Sequence, residues 1–333
     1  MKFGICCRKG GVFMAGTALR TPRLNSFRST WDTIPAVILT AYLLFIAGTG
    51  LNAIFSEYVQ AGTFFCRELR VVAENYYSFI FLWIPYVLFM LIYKPDHALL
   101  KKLIPGGGKK LLLFPAGILL GFALNTACVL IAFWRKDIHL YFASVNPLHM
   151  IFAFAGVLIQ SGAEEIQMRL FVQQHLARGY QAPWISVLLP SVFFSLLHLS
   201  NPGIGFVPLL CIFLAGICFS LIVHLFDSIW MAIAVHTAWN YTQNFLFGLP
   251  NSGIVSGFSL FRLEASTARN TFSYNARFGI EGAWVAVGVL FLADAVLLIT
   301  SLKKTGKANI TASPVDSDRL YISYGLYRRK PFL

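Results

Sequence analysis

The chain has 333 residues, of which 57% are hydrophobic and 12% charged, whereas a soluble domain carries about 25% charged residues. That balance excludes an ordinary soluble fold. The formal net charge of +13 is not a nucleic-acid signal, because the basic residues gather in the tails and in alternate loops, as on the cytoplasmic segments of membrane proteins. Long apolar runs recur along the whole chain, so the expected fold class is all-α: a polytopic transmembrane helical bundle in one membrane domain.

Residues 1–32 form a basic tail in which Lys2, Arg8, Lys9, Arg20, Arg23 and Arg28 oppose only Asp32. No apolar run with a small-residue cleavage site lies near the start, so no signal peptide is expected. The Cys6-Cys7 pair reads first as two unmodified cysteines and second as an acylation site. The remaining cysteines, Cys66, Cys128, Cys211 and Cys218, have no metal-ligand spacing, and several sit in apolar runs as small hydrophobes.

Eight spans are predicted, near 33–55, 76–93, 111–134, 148–177, 183–199, 206–225, 229–248 and 280–302. The membrane domain thus covers 33–302, and 303–333 is a second basic tail. The loop after the second span carries Lys94, Lys101, Lys102, Lys109 and Lys110. The positive-inside rule then puts both tails in the cytoplasm and the loop 249–279 outside. The expected location is a multi-pass position in a membrane.

The fourth span holds Glu164, Glu165 and Arg169 at membrane depth, where each ionisable group costs several kcal/mol, on estimates from about 2.5 to over 10. Glu164 lies about 20 Å from the cytoplasmic end at 1.5 Å per residue, and His198 in the fifth span about 22 Å. His236 and Asn240 in the seventh fall about 10 and 16 Å in. Glu165 and Arg169 are four apart and pair along one helix face. Glu164 points about 100° away, is free to face a cavity, and is the less compensated acid, which suits a general base. Phe194 and His198 share a face at the same spacing, as do His236 and Asn240. Each group alone has an ordinary structural reading as an interhelical contact or packing glue. The weight lies in their combination at matched depth.

These residues resemble the CPBP family of intramembrane proteases, which includes CAAX-processing, bacteriocin-processing and Abi-type proteins. The family motifs read here as Glu164-Glu165-Ile-Gln-Met-Arg169, Phe194-Ser-Leu-Leu-His198 and His236-Thr-Ala-Trp-Asn240. The resemblance covers about 156–260 within a core of about 148–260, with a weaker echo in FGIEG at 278–282. Met168 and Leu170 stand where the family usually has an aromatic and a glycine, a departure that bears on substrate fit more than on chemistry. The resemblance implies hydrolysis of a membrane-associated or lipid-modified peptide entering from the bilayer. Glu164 would activate water held by His198, and His236 and Asn240 would stabilise the oxyanion, with Glu165, Arg169 and Phe194 in support. No cofactor is expected. The alternative is zinc on Glu164, His198 and His236, but the sequence has no His-Glu-x-x-His helix. Rival readings are a non-catalytic membrane scaffold and a proton-coupled transporter with Glu164, His198 and Asp294 as its relay. The sequence carries no signal for oligomeric state.

Overall fold

The computed structural model describes residues 29–61, 66–106, 108–143 and 145–311. The two tails beyond them, with Cys6 and Cys7, lie outside the described residues. Lipid offers no hydrogen-bond partners, so a chain this apolar satisfies its backbone within helices. In order these are α1 (Ile34–Ala61), α2 (Arg67–Asn75), α3 (Ile80–Ile92), the short α4 (His97–Leu100), α5 (Leu113–Trp134), α6 (Pro147–Glu165), α7 (Gln173–Gly179), α8 (Pro183–Leu197), α9 (Phe206–Phe226), α10 (Ile229–Tyr241) and α11 (Trp284–Thr311). Among the described residues five stretches are long and apolar enough to cross a membrane: Ile34–Val59, Glu68–Ile92, Lys110–Trp134, Phe206–Phe226 and Trp284–Lys304. Two further runs are built from pieces. A π-helical stretch, Ile166–Val172, joins α6 to α7, and another, Thr242–Leu246, continues α10.

The element boundaries differ from the predicted ones for local reasons. The second span begins near 67 rather than 76, because Arg67, Glu68, Arg70 and Glu74 make α2 too charged to stand out by hydropathy. Helix α8 stops at Leu197, just short of Asn201-Pro202-Gly203, where Gly203 has φ +80°. Glycines also delay α11 to Trp284: Gly279 has φ +82°, and the residues after it, Ile280–Gly282, form a 3-10 turn. A two-stranded antiparallel ribbon adds to the helices, with β1 (Leu140–Phe142) paired to β2 (Phe261–Leu263) and Tyr141 opposite Arg262. It ties the loop after α5 to the long loop before α11.

Helix α10 is the centre of the bundle. Met231 to Asn240 are all buried, as expected of a helix apolar on every side. Its closest neighbour is α5, where a Cβ on Gly121 would fall 2.2 Å from the Val235 carbonyl and one on Gly117 2.7 Å from that of Met231. The two backbones touch because these positions lack side chains, the usual device for tight helix packing in lipid. The outer helices present Leu39, Leu43, Ile54, Leu119 and Phe291 outwards, the surface of an integral membrane protein. At one end of the bundle a buried charge cluster pins α7. His175 places Nδ1 2.8 Å from Asp32 and Nε2 2.9 Å from Asp96, and Arg178 reaches Asp96 at 2.7 Å and Asp32 at 3.2 Å.

Candidate active site

The junction of α6 with its π-helical extension places Glu164 and Glu165 on different faces. Such π segments recur at functional sites, where the wider turn re-aims side chains. Glu165 is fully buried, and its Oε1 accepts from Arg169 Nη1 at 3.2 Å and from His236 Nδ1 at 2.9 Å. The expected Glu165–Arg169 pair is therefore present, and it also holds the imidazole of α10. Arg169 donates from Nη2 to the Gly216 carbonyl at 2.9 Å. Its guanidinium lies between two rings, 4.8 Å from the centroid of Phe194 and 5.2 Å from that of Phe219. Charge pairing, a backbone acceptor and two aromatic faces together offset the burial of this cation.

Glu164 faces a cavity of about 430 Å³ that His198, His236 and Asn240 also line. All four proposed reacting groups therefore open onto one space, in the size range of small-molecule sites. Glu164 Oε2 lies 3.6 Å from His236 Nε2. Glu164, the acid without a cation on its own helix, is met there by the neutral amide of Gln160, one turn earlier, whose Nε2 donates to Glu164 Oε1 at 2.6 Å. Because Nδ1 of His236 meets a carboxylate, it carries a proton, and Nε2 is the ring atom turned to Glu164. The ring stacks on Phe219 with centroids 4.8 Å apart and planes 17° from parallel. His198 lies one residue past the last turn of α8 rather than within it. Its Nδ1 meets the Phe194 carbonyl at 2.7 Å, so that nitrogen is the donor and Nε2 keeps its lone pair. Phe194 thus serves two neighbours in three ways: its carbonyl orients His198, its ring packs edge-to-face with the His198 ring at 4.7 Å, and its face covers Arg169.

Sequence reasoning missed three contributors. Gln160 stands four residues before Glu164, a helical spacing that could have nominated it. Glu281 lies within FGIEG, the echo noted without a role. Asn251 belongs to a loop with no periodic signal. Asn240 Nδ2 donates to Gln160 Oε1 at 3.2 Å, and Asn251 Nδ2 donates both to Asn240 Oδ1 at 3.2 Å and to Glu281 Oε1 at 3.2 Å. Asp294 does not line the cavity shared by Glu164 and His198. It is buried in α11 beside the Cys218 thiol.

Among the described residues no three His, Cys, Asp or Glu side chains come together so as to hold a metal ion. Of the three residues named for the zinc alternative, Glu164 and His236 lie 3.6 Å apart and His198 lines the same cavity.

Residues 146–242 match the family model of type II CAAX prenyl endopeptidases, Rce1-like. This stretch runs from the start of α6 to the first residue after α10, and it contains all three motifs. This matched stretch, under a third of the chain, is similar to the membrane-protease domain of the CPBP family. No curated protein and no solved structure matches it.

Proposed function

We propose that the protein is an intramembrane endopeptidase that hydrolyses a peptide bond of a membrane-associated or lipid-modified substrate by glutamate-activated water. The observation that supports this most is the opening of Glu164, His198, His236 and Asn240 onto one cavity. A water between Glu164 and His198 finds two acceptors: the Glu164 carboxylate and the free Nε2 of His198. Its oxygen lone pair is then left to attack the substrate carbonyl. Glu164 takes the proton as the C–O bond forms. Asn240 Nδ2 and protonated Nε2 of His236 donate to the oxyanion, and Glu165 across the ring offsets the imidazole's charge. Glu164 returns the proton to the departing amine. Preorganised donors in a water-poor site are the strongest electrostatic aid to such a step. No metal enters the scheme, and both termini are assigned to the cytoplasmic side.

Glu164→Gln keeps the shape and the Gln160 contact but removes the base. Turnover is expected to fall by about 10²–10⁴-fold, with membrane insertion unchanged. Comparative proteomics of membrane fractions, wild type against Glu164→Gln, identifies the substrate as a fragment that disappears in the variant. Identical fragments in both would remove Glu164 from the mechanism.

A further inference from the structure

The lining of the cavity also includes the buried carboxylate of Glu281, which the hydrolytic scheme does not use. Glu281 accepts four hydrogen bonds: from Trp239 Nε1 at 3.0 Å, Asn251 Nδ2 at 3.2 Å, the Ser252 backbone N–H at 2.9 Å and Ser252 Oγ at 3.1 Å. Two donors meet each of its oxygens, so no lone pair is left facing the substrate and it is poorly placed to act as an acid or base. Its chemistry lies in what it dictates to its neighbours.

A carboxylate only accepts. Asn251 must therefore turn its NH2, and not its carbonyl, to Glu281. The other hydrogen of that NH2 goes to Asn240 Oδ1. With its carbonyl taken, Asn240 presents its own NH2 to Gln160 Oε1. Gln160 in turn is left with its NH2 for Glu164. Three amides thus run head to tail between two acceptor-only ends, and each has one orientation consistent with both. A reversed Asn240 would point its carbonyl at the developing oxyanion, where it repels rather than stabilises.

We propose that Glu281 is a positioning residue for the reaction. Through Asn251 it secures, from the end opposite Glu164, the polarity of the Asn251–Asn240–Gln160 relay, and so helps to keep the Asn240 amide aimed as a donor into the cavity. This rests on the hydrolytic reading only for its effect on rate. The relay itself is a property of the resting protein.

The test uses full-length protein in lipid vesicles. Side-chain 15N resonances of Asn240, assigned by their loss in Asn240→Ala, are expected to form a single set in wild type. In Glu281→Gln, whose side chain both donates and accepts, they are expected to split or broaden. Asn251→Leu is expected to do the same while sparing the Trp239 and Ser252 bonds to Glu281, which covers the case where Glu281→Gln folds poorly. Unchanged Asn240 resonances in both variants overturn the proposal. On the substrate found by proteomics, Glu281→Gln is expected to lower kcat by at least about tenfold, part of the 10²–10³-fold attached to losing an oxyanion donor, with KM held. On an Asn240→Ala background the same change is expected to add nothing, because both act through one amide. A full additional loss there also overturns it. Wild-type turnover by Glu164→Gln with split Asn240 signals in Glu281→Gln would sink the hydrolytic reading and leave the relay standing.

Discussion

Arg169 shows at the level of single residues how a charge is kept inside this protein. It has no exposure, and its one carboxylate partner is Glu165, also without exposure. Removing one member of a buried pair leaves the other uncompensated, at a cost of about 3–5 kcal/mol. Glu165→Ala is therefore expected to lower thermal stability strongly in detergent, and to lower activity as well, since His236 loses the acceptor on Nδ1. A melting temperature equal to wild type would break the argument. Gln160 makes the opposite point. Its spacing from Glu164 was visible in the sequence, but an uncharged Gln four residues from an acid is common enough that only the 2.6 Å contact singles it out.

At the scale of elements, the run from α6 to α7 is held at both halves. Its middle meets α10 through the Glu165–His236 contact. Its end is pinned by the cluster of Asp32, Asp96, His175 and Arg178. Burial alone would raise the Asp32 pKa, but the hydrogen bond with His175 and the charges of Arg178 and His175 outweigh it and hold the carboxyl below its ordinary 3.8. A carboxyl held low in the folded state stabilises that state fully above the unfolded value, and this stabilisation is lost as pH falls through the folded value. The wild-type melting temperature is thus expected to drop steeply below about pH 4, and Asp32→Asn to flatten that drop. Equal slopes in the two proteins would show that Asp32 does not contribute. The cluster had no sequence signal: His175 and Asp96 are 79 positions apart, and a His near a helix end is unremarkable.

For the molecule as a whole, the family-matched stretch 146–242 supplies the four groups proposed to react, but other parts close the cavity around them. Phe45, Asn52 and Ser56 of α1 and Glu74 of α2 line it from one side, and Asn251, Ser252 and Glu281 from another. Substrate fit therefore rests partly on segments that carry no family motif. The absence of a converging metal triad among the described residues makes metal dependence a property to measure on the intact protein. Exhaustive chelation is expected to leave turnover unchanged. Loss of activity that added zinc restores would reverse the metal-free scheme.

The sequence by itself determined the class of the protein, the helical runs and the residues of the three motifs. Hydropathy and helical spacing are local quantities, so a linear reading reaches them. It also reached the Glu165–Arg169 pair, because both partners sit on one helix. Tertiary structure alone decided that the Glu165 carboxylate also holds His236 from 71 positions away, that α8 ends just before His198, and that Asn251 and Glu281 stand behind Asn240. Those relations depend on how separate helices and a loop meet in space, and no period within a single segment encodes that.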